Sequence, residues 1–151
     1  TTLAVLNAMG IKTEEKQRNT VTSKLQSVPP ALPALMRAQK IGKRAPFFDF
    51  ADVDEVLVKL EEETNELKTA ITSGDKADID EEFGDLLFTA VSLARKLGID
   101  AEESLTKASE KFIGRFAVLE AEVIAEDKDI TALSMAELDA IWDRIKHQSN
   151  N

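Results

Sequence analysis

The chain has 151 residues, 43% hydrophobic and 31% charged, which is enough for one globular domain with its own core. A net charge of −9 argues against a nucleic-acid backbone as partner, though not against a phosphate ligand carried with a divalent cation. There is no cysteine, which excludes disulfides, zinc thiolates and thiol catalysis, and no apolar run approaches the ~20 residues of a membrane span.

Residues 1–28 read as a polar linker or the tail of a preceding domain, with the folded domain over 29–151. A short apolar patch (Leu3, Val5, Leu6, Met9) leads into Lys12–Ser27, which is rich in Lys, Glu, Gln, Asn, Thr and Ser. A short helix packing elsewhere is the alternative. The start lacks the basic region and apolar core of a signal peptide, and a first residue other than Met points to a trimmed chain or a piece of a longer one. The cysteine-free composition fits a reducing cytosol, so the expected location is cytoplasmic.

Ala, Leu, Glu and Lys dominate, aromatics are few, and no segment alternates with period two, which together predict an all-α fold. Pro29, Pro30 and Pro33 lead a first helix from about Ala31 that ends before Phe47, with Leu32, Leu35, Met36 and Gln39 on one face. A second runs from about Asp52, as N-cap, to Ser73, closed by Gly74. The third runs from about Ala77 to Leu97, closed by Gly98, and the fourth from the N-cap Asp100 to about Ala125. The fifth opens with a capping box, Ser134 to Glu137, and carries Leu138, Ile141, Trp142 and Ile145. The expected architecture is a bundle of about five helices built around an antiparallel helix hairpin. A partner subunit would cover the apolar surface such a hairpin exposes, so a homodimer is expected.

On a helical wheel the second helix has an apolar stripe of Val53, Val56, Leu60, Leu67 and Ile71, and the third has Ile79, Phe83, Leu86, Ala90, Leu93 and Leu97. Glu63 falls about 60° and Glu66 about 120° to one side of the first stripe, and Glu82 and Asp85 fall at similar angles from the second. A short connection at Thr72–Lys76 makes the two helices an antiparallel pair, and equivalent flanks of such a pair meet on one side. Four carboxylates should therefore converge. Without a counter-ion some would have to take up protons, and Mg²⁺ resolves the conflict while leaving coordination positions for phosphate oxygens. Glu62, nearer solvent, could hold a second ion or orient a water. Phe83, Phe88, Phe112 and Phe116 read as core. His147, the only histidine, reads as a surface residue, so a carboxylate such as Glu62 or one of the ligands is the expected proton acceptor.

The segment Leu32–Ala45, with Glu62-Glu63-Thr64-Asn65-Glu66 and Glu82-Phe83-Gly84-Asp85, resembles the C-terminal catalytic domain of the MazG nucleoside triphosphate pyrophosphohydrolases. Asp85–Phe88, Leu93–Arg95, Lys111 to Phe116 and Ile141-Trp142 with Lys146 extend the likeness over roughly Val28 to Gln148. The resemblance implies a helical bundle, at least dimeric, that hydrolyses nucleoside triphosphates to monophosphate and pyrophosphate with Mg²⁺, for which Mn²⁺ could substitute. It implies metal ligands at Glu63, Glu66, Glu82 and Asp85, and a nucleotide pocket that includes Lys111, Arg115, Trp142 and Lys146. In the chemistry that follows, Glu62, Glu63 and Lys111 are the expected catalytic residues. Lys107 lies one turn before Lys111 on the same flank. Trp142 either stacks on a base or packs the last helix. Where relatives can carry a Lys shortly before the second acid pair, this chain has Asp78, with Lys76 nearby as a substitute.

Two other functions fit the same features. One is a base-selective dUTP or dCTP pyrophosphatase of the same superfamily, which shares the acid signature. The other is a non-enzymatic metal-binding or dimerisation module. A ferritin-like di-iron site is disfavoured, because it needs Glu-x-x-His pairs that this chain lacks.

Overall fold

The computed structural model describes residues 20–149, and among them are six α-helices, one 3₁₀ turn and no strand. The all-α expectation is borne out. The helices are α1 (Val21–Gln26), α2 (Ala34–Lys43), α3 (Val53–Ser73), α4 (Lys76–Lys96), α5 (Ala101–Ala125) and α6 (Met135–Ser149). The chain divides into two compact units, one up to Glu102 and one from Glu103. No helix of the described residues is long and apolar enough to cross a membrane.

In the first unit α3 and α4 pack on each other and α2 packs on α4. Short polar side chains set the helix ends. Asp52 accepts from the Glu55 N–H at 2.9 Å, and Asp75 accepts from the Ala77 and Asp78 N–H groups at 2.9 and 3.3 Å, satisfying donors that have no partner within the helix. Only Gly74 and Asp75 separate α3 from α4, so the two form an antiparallel hairpin. Gly74 makes the reversal at φ 76°, a left-handed conformation in which a Cβ is strained. Gly74→Ala should therefore cost about 1 kcal/mol, read as a lower denaturant midpoint with an unchanged slope.

Residues 20–28, placed in the linker by sequence, form part of the folded unit. Thr20 caps α1 by accepting from the Ser23 N–H at 3.1 Å, and Val28 is fully buried. Arg44 donates to the Lys24 carbonyl at 2.7 Å and ties this segment to the end of α2. The sequence hid the fold because its apolar anchors are few: Val28, buried beside two prolines, and the half-buried Leu25. Residues 1–19 lie outside the described residues.

Arg95 on α4 donates from both Nη atoms to Asp49, in the loop between α2 and α3, with Nη2 to Oδ1 at 2.9 Å. Lys96 adds a contact to Oδ2 at 3.1 Å. The Arg95 guanidinium beside Asp49 holds its carboxyl well below the usual carboxylate range. Gly42 on α2 lies against the same guanidinium, and a Cβ there would sit 2.8 Å from Arg95 Nε.

The second unit is organised around Leu119, Val123 and Ile145, with Ile130, Leu133, Leu138, Ile141 and Trp142 packed against them. The Ser134 half of the expected capping box of α6 forms: Ser134 Oγ accepts from the Glu137 N–H at 3.2 Å, and its hydroxyl donates to the Glu137 carboxylate at 3.1 Å.

Candidate metal and active site

α3 is turned so that the face it buries runs through Val56, Glu63 and Ala70, one residue every two turns. The wheel had placed Glu63 beside the stripe and Ile71 within it; in the structure Glu63 is only 5% exposed and Ile71 is exposed. The small Ala70 takes the buried position there, at 7% exposure, and a small residue suits a face packed on a neighbouring helix. On α4 the buried positions are Thr89, Val91, Ser92 and Ala94, while Phe83, Ala90 and Leu97 are exposed. Phe83 and Phe88, expected in the core, are exposed on this chain, and so are Phe112 and Phe116.

Glu63, Glu66 and Glu82 bring their carboxylates together, each offering an oxygen within 4.8 Å of the others. Two of these side chains have an oxygen, Glu63 Oε2 and Glu82 Oε2, that is buried without a hydrogen-bond partner. A buried anionic oxygen left bare is costly, and burial, then the neighbouring Glu66 carboxylate, hold the Glu82 carboxyl above its ordinary range, with Asp85 and Glu63 adding to the effect. Three hard oxygen donors with two orphaned atoms fit a divalent cation, and the cluster could hold one.

Asp85 is not in this tight trio. It is exposed, one turn along α4, with a side chain one methylene shorter, and it lines the same cavity as Glu63. Glu62 is on the solvent side of α3, 3.5 Å from Lys59. Lys59 reaches Glu63 Oε1 at 3.2 Å, which satisfies one oxygen of Glu63 and turns the other toward the cluster. Sequence reasoning missed Lys59, although its i,i+4 spacing to Glu63 was a readable signal. Lys76 is the first residue of α4. Asp78 lines a shallow cleft with Glu66 and Glu82.

The cavity that Glu63, Asp85 and Lys59 line has a volume of about 500 Å³. The rest of its wall comes from α2, the loop after it and α4, including Ile41, Ala45, Phe48, Phe50, Thr89 and Ser92.

Lys111, Arg115, Trp142 and Lys146 belong to the second unit. Lys111 and Lys146 are exposed, and Arg115 is half-buried with its Nε lacking a partner. Trp142 lies against Phe112, with ring centroids 5.3 Å apart and planes tilted by 46°. Phe112 in turn stacks on Phe116 at 6.1 Å. The contact with Phe112 is compatible with both roles open to Trp142 from sequence.

An all-helical protein with a carboxylate cluster across a helix hairpin, fit for a divalent cation, is the class that this fold and site define. The chain belongs to the family of the MazG nucleotide pyrophosphohydrolase domain, whose model matches residues 39–117. The resemblance read from the proline-led opening and the acid pairs is borne out. The chain is 42% identical over 142 residues to the nucleoside triphosphate pyrophosphohydrolase of Escherichia coli K12, an overlap of 91% of this chain and 54% of that protein. It is 38% identical over 138 residues to the nucleoside triphosphate pyrophosphohydrolase/pyrophosphatase MazG of Thermotoga maritima, covering 90% of this chain and 52% of the relative. An uncharacterised Bacillus subtilis protein, YabN, is 35% identical over 139 residues and is covered for 28% of its length. The chain thus spans about half the length of the first two relatives.

Proposed function

We propose that the chain hydrolyses nucleoside triphosphates to the monophosphate and pyrophosphate, with Mg²⁺ held by Glu63, Glu66, Glu82 and Asp85 and with Mn²⁺ as a substitute. The observation that carries this reading is the pair of orphaned carboxylate oxygens, Glu63 Oε2 and Glu82 Oε2, in the cluster beside a ligand-sized cavity. The activities for which the Escherichia coli and Thermotoga maritima relatives are named support it. A bound Mg²⁺ would withdraw charge from phosphate oxygens and fix their orientation.

The residues of this chain do the rest. Lys59 holds one oxygen of Glu63 and leaves the other for the cation. Glu62, on the solvent side of α3, takes the proton of the attacking water in this reading. Lys111, Arg115 and Lys146 neutralise charge on the departing pyrophosphate, and Trp142 holds the helix that carries Lys146. We propose a cytoplasmic location as well, in keeping with a nucleoside triphosphate substrate. We further propose a homodimer or higher homo-oligomer, supported by the exposed apolar side chains Leu57, Val58, Phe83 and Leu87 on the hairpin.

The test is a panel of ribo- and deoxyribonucleoside triphosphates with Mg²⁺, with products separated by anion exchange. The expected products are monophosphate and pyrophosphate from several bases. Hydrolysis confined to dUTP or dCTP would move the protein to the base-selective class. A panel left intact, or release of diphosphate and orthophosphate, would overturn the proposal.

A further inference from the structure

We propose that Gln39 and Glu102 are positioning residues for the reaction: together they clasp the start of α5 to α2 and so fix the line along which α5 carries Lys111 and Arg115. This rests on the hydrolase reading above, in which those two cations act on the phosphates.

α4 ends at Lys96 and α5 begins at Ala101, and between them Gly98 turns the chain at φ 70°. Gln39 on α2 holds the far side of this turn with both ends of its amide. Its Nε2 donates to the Ile99 carbonyl at 2.8 Å, and its Oε1 accepts from the Ala101 N–H at 2.9 Å. Ala101 is the first residue of α5, so its N–H is one of the donors a helix cannot satisfy internally.

Glu102, the next residue, acts in the opposite direction. Its Oε2 accepts from the Met36 N–H at 3.3 Å. Met36 lies in the first turn of α2, whose N-cap Pro33 makes no side-chain cap bond, and a carboxylate suits a helix start. Each helix thus caps the other. Three bonds from two side chains, one on each helix, set the direction of α5 as well as its distance from α2.

α5 is one helix of 25 residues. At about 1.5 Å per residue, Lys111 lies ~15 Å and Arg115 ~21 Å along it from Ala101. A swing of about 20° at the first turn, the size of an ordinary helix kink, would displace them by ~5 and ~7 Å. Displacements of that size break a charge-assisted hydrogen bond to phosphate.

The experiment measures kcat and KM for ATP and the affinity for inorganic tripolyphosphate, both with Mg²⁺. It compares the parent chain, Gln39→Leu, Glu102→Ala and Glu102→Gln, and repeats Gln39→Leu in a Lys111→Ala background. Thermal melts with and without Mg²⁺ check the fold and the metal site. Gln39→Leu and Glu102→Ala should each lower kcat/KM by about a hundredfold, the scale of a small misplacement of a reacting group. Both should weaken tripolyphosphate and keep the rise in melting temperature that Mg²⁺ gives. Glu102→Gln retains an oxygen for the Met36 N–H and should stay near the parent. With Lys111 already removed, Gln39→Leu should cost several-fold less, because residues that act through one another are non-additive. An equal cost in both backgrounds, parental kinetics in Gln39→Leu and Glu102→Ala, or loss of the Mg²⁺ effect in both overturns the positioning role, as does a parent that binds no tripolyphosphate. A parent that binds tripolyphosphate but leaves ATP intact overturns the hydrolase reading, and the same comparison on tripolyphosphate affinity then decides the clasp.

Discussion

Glu63→Gln should lower triphosphate turnover by about a thousandfold, roughly 4 kcal/mol of transition-state stabilisation, while the circular dichroism stays that of the parent. Glu63 is the most buried of the cluster, and one of its oxygens has no partner. Glutamine keeps the shape but exchanges an anionic oxygen for an amide, and the amide makes a poor ligand for a hard cation. The same change lifts repulsion against Glu66 and Glu82, and the Lys59 contact it weakens has a solvent-accessible ammonium that loses little. Stability without metal should therefore hold or rise. With Mg²⁺ the parent should gain in thermal midpoint and the variant should not, because only a ligand that binds the folded state stabilises it. A glutamine variant that turns over at the parental rate would remove Glu63 from the metal site.

Asp49→Ala should cost about 3 kcal/mol, the scale for removing one partner of a largely buried ion pair and stranding the other. Arg95 and Asp49 are both mostly buried, and Arg95 makes two hydrogen bonds to Asp49. The pH dependence has a fixed sign. The folded-state pKa of Asp49 lies below its unfolded value, so its contribution is complete above about pH 5, where the unfolded aspartate is almost fully ionised. As pH falls below that, the unfolded chain takes up the proton first, the parent loses this margin, and the gap to the variant narrows. Urea melts at neutral pH and at successive acid steps would read this. A gap that stayed constant or widened in acid would show that the pair contributes otherwise.

The helix ends were legible because their signals are local. Asp52, Gly74 and the Ser134–Glu137 box each act within one turn of the residue that shows them. The opposed acid pairs were legible too, because a hairpin with a short turn constrains which flanks meet. The exact rotation of α3 was not. A wheel weighted by hydrophobicity counts Glu63 as polar and pushes the stripe toward Ile71, whereas packing selects the small Ala70. Asp49 and Arg95 are 46 residues apart, and nothing near either one in sequence announces the partner. The aromatic side of the cavity was hidden for a similar reason: Phe48 and Phe50 sit in a loop without periodicity, and α2 and α4 close around it only in three dimensions.

The close approach of Gly42 to Arg95 has a consequence for how this scaffold can vary. An arginine tip elsewhere swings aside freely for an added methyl, but this one is tethered by Asp49, so its displacement disturbs that pair. Position 42 is therefore a tolerance gauge for the whole corner. A saturation library there should return glycine almost exclusively, and an alanine should survive only alongside a second change at Asp49 or Arg95, so that three residues far apart in the chain vary as one unit.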